Sequence, residues 1–177
     1  MKKIFIILIV ASSCQKLKPE SVSISDYPDY EELMIDQVEL LANTKIRKEV
    51  WLDGKSEIQV LSMDSTSWMK ELSFLKEINP NRPEYAGAFE KVEDQLNQTL
   101  VLKEGEKGAL KKTTFSKDAS YFLQINATFH EDKDLYIHHR EIALAFENGV
   151  LNSLHIAGYQ KMMFKDTVKF RIALTVN

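Results

Sequence analysis

The chain predicts an α+β fold, an N-terminal helical hairpin packed on a curved antiparallel β-meander of about six strands. Three observations predict it. Apolar residues recur at helical spacing as far as Ile78. The pattern changes to alternation from Tyr85 onward. Asn148-Gly149 then joins two alternating runs, Leu135–Phe146 and Val150–Phe164. Asn-Gly in that setting is the strongest short-range hairpin signal, because a type I′ turn needs φ > 0 at both central residues.

A chain of 177 residues suits one domain and can build a core without disulfides or metal. Apolar and charged fractions of 44% and 28% are ordinary for a globular protein. The formal net charge of −3 gives no basic footprint, which argues against nucleic acid as a partner.

The first residues stand apart from that domain. Lys2 and Lys3 precede the apolar run Ile4–Ala11, the pattern of a secretory signal and too short to span a bilayer. The run ends at Ala11-Ser12-Ser13-Cys14, and Cys14 is the only cysteine. These residues resemble the lipobox of bacterial lipoproteins, with Ala11 where Leu usually sits. The alternative is an ordinary cleaved signal with an incidental Cys. The resemblance implies a signal peptide over residues 1–13 and an acylated Cys14 as the first mature residue, holding the protein to a membrane. The mature chain would then carry no thiol and form no disulfide. Gln15, rather than Asp, follows the Cys, which by the same resemblance implies the outer membrane, periplasmic or surface-exposed.

Residues 14–26 read as the lipidated Cys and a flexible tether, polar, with Pro19 and scattered serines. The domain spans residues 27–177. Its first helix starts near Tyr27-Pro28, with Asp26 as a cap and Asp29, Glu31 and Glu32 at the positive end. Ile35, Val38, Leu41, Ala42, Ile46 and Val50 make one apolar face, and Asp53-Gly54 stops the helix. A second helix covers Ser65–Ile78, with a start as early as Ser56. Leu61, Trp68, Leu72 and Leu75 mark its buried stripe, and Asn79-Pro80-Asn81-Arg82-Pro83 ends it. Helices thus occupy about 27–78 and the sheet about 85–177.

Within the sheet, Tyr85–Glu93 fits a strand or a short helix. Gln98–Lys103 and Ala109–Phe115 form a hairpin, and Ser120–His130 follows a turn at Ser116-Lys117-Asp118. A turn centred on Asn148-Gly149 pairs Phe146 with Leu151, Leu144 with Ser153, Ile142 with His155, Arg140 with Ala157 and His138 with Tyr159. Lys165-Asp166 as a two-residue turn pairs Tyr159 with Ile172. Glu131–Asp134 as a loop pairs Ala127 with His138. One core face then carries Ile125, Ala127, Phe129, Ile142, Leu144, Phe146, Leu151, Ala157, Tyr159, Phe170, Ile172 and Leu174.

Polar groups interrupt that face: His138, Arg140, His155 and Lys161, with the hydroxyls of Tyr136 and Tyr159. A buried unpaired charge is too costly to leave. Either helix carboxylates (Glu32, Asp36, Glu39 or Glu71) meet these groups in a salt-bridge network, or Tyr136, His138, Arg140, Tyr159 and Lys161 line a pocket for a small anionic ligand.

Other chemistry is weak. Gly54-Lys55-Ser56 has Glu49 where a phosphate-binding loop needs Gly. Asp132-x-Asp134 fails as a calcium loop, with Ala143 at the twelfth position. His138 and His139 point to opposite faces of a strand and cannot chelate together, so no metal site is expected. There is no nucleophile elbow or dinucleotide fingerprint, and no pattern points to a cofactor.

Gly54-Lys55-x-Glu57, Trp68-x-Lys70-Glu71-Leu72, Glu77-Ile78-Asn79-Pro80, Leu135-Tyr136 and Gly158-x-Gln160-Lys161 are similar to a family of small uncharacterised lipoproteins of Gram-negative bacteria. That resemblance implies no activity. The expectation is a non-enzymatic, membrane-anchored binding or interaction module with an envelope protein partner. The alternative is a lipocalin-like carrier of a small ligand between sheet and helices.

Overall fold

The computed structural model describes residues 27–94, 96–118 and 121–177. The signal peptide, Cys14 and tether expected over residues 1–26 lie outside the described residues. The elements run α1 (Tyr30–Leu40), β1 (Thr44–Leu52), β2 (Lys55–Met63), α2 (Ser65–Glu71), α3 (Phe74–Glu77), a 3-10 turn (Pro83–Tyr85), β3 (Phe89–Glu93), β4 (Gln98–Leu102), β5 (Leu110–Asp118), β6 (Tyr121–Lys133), β7 (Tyr136–Glu147), β8 (Val150–Met162) and β9 (Val168–Val176). All nine strands join one sheet in the order β2-β1-β9-β8-β7-β6-β5-β4-β3, and every pairing is antiparallel.

The antiparallel meander is as expected, but the fold is predominantly β. The helical hairpin and the count of about six strands are corrected. The stretch expected to be one long helix ends at Leu40, followed by Asn43 in the left-handed region, and Thr44–Leu52 is a strand. Ile46 and Val50 are four apart, a spacing that serves a helix ridge and a strand face equally. The β-branched and aromatic residues Thr44, Ile46, Val50 and Trp51 favour the strand. Asp53-Gly54 has φ of 46° and 87°, so it turns a hairpin rather than capping a helix. β2 then occupies the stretch where an early start of the second helix was considered.

The helix that remains is short and capped. Asp29, not Asp26, is the N-cap of α1, accepting from the N–H groups of Glu31 (2.9 Å) and Glu32 (3.4 Å). Asp64 caps α2 through the Ser67 N–H at 2.7 Å. The expected stop at Asn79-Pro80 holds, since α3 ends at Glu77. The side chain of Asn79 accepts from the N–H groups of Tyr30 and Asn81, tying the start of α1 to this turn. Tyr85–Glu93 resolves into the end of a 3-10 turn and the strand β3.

Tyr30, Met34, Trp68, Leu72, Leu75 and Ile78 pack on the inner face of the sheet against Leu100, Leu110, Ile125, Ile142, Leu144, Leu154 and Leu174. Each contributes roughly 1.5–3 kcal/mol by leaving water. Among the described residues no helix is long and apolar enough to cross a membrane.

The register departs from expectation on β6, β8 and β9, where Tyr159 pairs with Lys169 rather than Ile172. Asn148 and Gly149 have φ of 51° and 80°, as the type I′ turn requires, and Phe146 pairs with Leu151. Between Ala145 and Phe146 the ladder then shifts, so that Ala145 pairs with Ser153 and Leu144 with Leu154. Asn152 is the extra residue of a β-bulge. Beyond it every β8 side chain is on the face opposite to that expected: Leu154 and Ile156 are in the core, while His155, Ala157, Tyr159 and Lys161 are not. On β6 the turn falls at Asp134-Leu135, pairing Ala127 with Ile142 rather than His138. That is a slip of four residues, so the faces survive.

Candidate functional site

Alternation along β7 places Tyr136, His138 and Arg140 on the inner side of the strand, the side on which Ile142, Leu144 and Phe146 enter the core. The bulge at Asn152 puts Tyr159 and Lys161 on the other side, opposite His139 and Ile137. The expected five-residue cluster is therefore two groups separated by the thickness of the sheet.

On the inner side Arg140 is only 8% exposed. Its guanidinium pairs with the carboxylate of Glu77, at the end of α3, and lies over the ring of its cross-strand partner Phe129 at 4.2 Å. Its Nε is buried without a hydrogen-bond partner in the protein. None of the four carboxylates considered from sequence makes this contact; of them, Glu71 pairs with Lys48 instead. His138 lies between the rings of Phe129 (5.8 Å) and Phe170 (6.2 Å). Burial, and then the charge of Arg140, hold its pKa below the ordinary histidine value, so it sits there as a neutral ring. The Tyr136 hydroxyl donates to Glu131 at 2.8 Å. Apart from the Arg140 Nε, each polar group on this side thus has a neighbour that accounts for it.

The Arg140–Glu77 pair predicts a measurable asymmetry. Glu77→Ala leaves a nearly buried guanidinium without its counter-charge and costs about 1–3 kcal/mol, less than a fully buried pair because the Glu77 side chain is half exposed. Arg140→Met removes charge and burial penalty together and is expected to be near neutral. Urea unfolding of both variants checks the order; an equal loss for the two would mean the pair is not the reason.

On the outer side His130, His139 and Tyr159 stand side by side across β6, β7 and β8. His130 and His139 are 5.6 Å apart, and His139 stacks on Tyr159 at 5.3 Å. His139 Nε2 lies 3.2 Å from a Glu141 oxygen. Sequence reading missed this row, because it depends on both the two-residue turn at Asp134-Leu135 and the bulge in β8. Among the described residues no three metal-ligating side chains converge.

Two openings lie near this end of the sheet. One, of about 680 Å³, is bounded by Glu77, Arg82, Tyr85, Lys107, Lys111 and Glu131, with both signs of charge around it. The other, of about 630 Å³, lies between the β6–β7 and β8–β9 turns against Leu135, Tyr136, Lys161, Met162, Met163 and Phe164. Lys161 therefore belongs to the tip of the sheet, not to the Arg140 cluster.

One further feature is geometric. β2 forms one edge of the sheet and pairs with β1 on one side. Leu52 and Lys55 flank the two-residue turn, so they form the hydrogen-bonded closing pair. Alternation then directs the N–H and C=O groups of Ser56, Ile58, Val60 and Ser62 away from β1, and Ile58 and Val60 are 53% and 68% exposed. The other edge, β3, has five residues, three of them charged: Glu90, Lys91 and Glu93. A comparison with protein-family models, curated proteins and solved structures finds no match to this chain.

Proposed function

We propose that this protein is a non-enzymatic lipoprotein, anchored through an acylated Cys14 at the outer membrane, that works as an interaction module. Its recognition element is the free edge of β2. The observation that carries this reading is that edge itself. Among the described residues nothing pairs with the backbone groups that the nine-residue strand presents from four positions, two of them bearing exposed β-branched side chains. Natural sheets blunt such edges with charges, prolines or bulges unless they are used, and an added strand satisfies the ladder while its alternate side chains set specificity. The partner is an extended segment with apolar residues opposite Ile58 and Val60.

The packing does not favour the carrier alternative. Trp68, Leu72, Leu75 and Ile78 fill the space between helices and sheet, and Arg140 and Lys161 stand on opposite faces. Arg140 and Glu77 neutralise each other, which supports a non-catalytic role.

A photo-crosslinking residue at Gln59, in the chain carried in its own membrane, tests the edge. A discrete adduct is expected, and Val60→Pro is expected to abolish it. That proline removes one outward N–H while leaving the ladder with β1 intact, so circular dichroism should be unchanged. No adduct, or an adduct indifferent to Val60→Pro, would sink the edge reading.

A further inference from the structure

Phe164 is 97% exposed and has φ of 60°, a left-handed backbone conformation that aromatic residues rarely adopt. It tops the β8–β9 turn beside Met162 and Met163, and Leu135, 66% exposed, tops the neighbouring β6–β7 turn. The two turns are joined, with the Met163 N–H donating to the Leu135 carbonyl at 2.9 Å. Four large apolar side chains are thus held in water together at one end of the sheet, an arrangement a soluble surface rarely keeps without a use.

We infer that this tip enters the interfacial layer of a lipid bilayer. Two observations select a bilayer over a protein partner. The collar around the tip holds Lys133, Lys161 and Lys165 with Asp132, Asp134 and Asp166, a balanced set that suits zwitterionic headgroups rather than a polyanion. The lysine stems can lie along the apolar surface while their ammonium groups stay at headgroup level. The tip is also a pair of knobs with an open groove between them, a shape that fluid acyl chains fill without a preformed socket.

The test uses the processed chain reconstituted in vesicles of phosphatidylethanolamine and phosphatidylglycerol. An environment-sensitive fluorophore is placed on Lys165→Cys, and in a second chain on Glu147→Cys at the opposite end of β7. The expected result is a blue-shifted emission at 165, severalfold less quenching by iodide than at 147, and quenching by doxyl-labelled lipid at 165 alone. Adding Met163→Asp and Phe164→Asp is expected to return the 165 probe to the behaviour of the 147 probe. Equal iodide quenching at the two positions overturns the inference. The parent chain, treated with the same thiol reagent, separates the two readings: label uptake there means Cys14 is not acylated, whatever the 165 probe reports.

Discussion

Gly158→Ala is expected to cost about 3 kcal/mol, which for a domain of this size lowers Tm by roughly 6–12 °C. Gly158 lies in the middle of β8, opposite Arg140 and Phe170, where the backbones of β7 and β8 come close. A methyl group there would fall on the His139 carbonyl oxygen, 3.0 Å from the carbonyl carbon and 3.1 Å from the Arg140 Cα. All three atoms are backbone of the central hairpin, so no rotamer change relieves the clash. The strands must separate, and the hydrogen-bonded ladder next to the Arg140–Glu77 pair is lost with them. A glycine within a strand commonly marks such a close approach. Thermal and urea unfolding of the variant check it, and a Tm within about 2 °C of the parent chain would show that β7 and β8 are not packed this closely.

The meander from Gln98 onward was legible because its turns use local chemistry. Asn148-Gly149 and the loop before Leu110 announce themselves within a few residues. Asp53-Gly54 uses the same chemistry and has nearly the same dihedral angles as Asn148-Gly149. It also fits a helix stop, because Thr44–Leu52 carries apolar residues at spacings that fit both periods. The deciding signals, β-branched and aromatic residues before the turn and the strand-like Lys55–Met63 after it, were weaker than the helical run from Tyr30. The long apolar-faced helix and the hairpin compete for the same residues, and pairing with β9 decides the contest. Such a tertiary partner, far along the chain, leaves no local trace.

The candidate site was half legible for a related reason. The inward set on β7 needed only parity, and a slip of four residues at the β6–β7 turn did not disturb it. The β8 set needed an unbroken count from Gly149, and one extra residue reversed it. Leu154 and Ile156 were the available warning, since a regular register would have left both on the wet face. The contact that rescues Arg140 came from Glu77, one of many acidic residues on the helices, and nothing in the sequence singled it out. The edge of β2 has no signal of its own, because Lys55–Met63 also fits an early start of the second helix.

Gln37→Leu is expected to cost about 2–4 kcal/mol, because it strips partners from two backbone groups at the bulge. Gln37 is 3% exposed in the last turn of α1. Its Nε2 donates to the Gly149 carbonyl at 2.8 Å, and its Oε1 accepts from the Leu151 N–H at 2.7 Å. Glu147 and Val150 close the turn, so alternation directs the Leu151 N–H away from β7 beside the bulge at Asn152, and a residue 114 positions away satisfies it. Leucine has similar bulk, so packing is largely kept and the loss reports the two hydrogen bonds. Gln37→Glu keeps the acceptor for Leu151 but places a carboxylate against the Gly149 carbonyl, and it should be no milder. The sharpest readout is amide exchange: Leu151 should exchange much faster in Gln37→Leu, while amides in the middle of β7 slow or quicken only with global stability. Unchanged protection at Leu151 would mean that the bulge is held by the strands alone, and that α1 is not what fixes the register of the central hairpin.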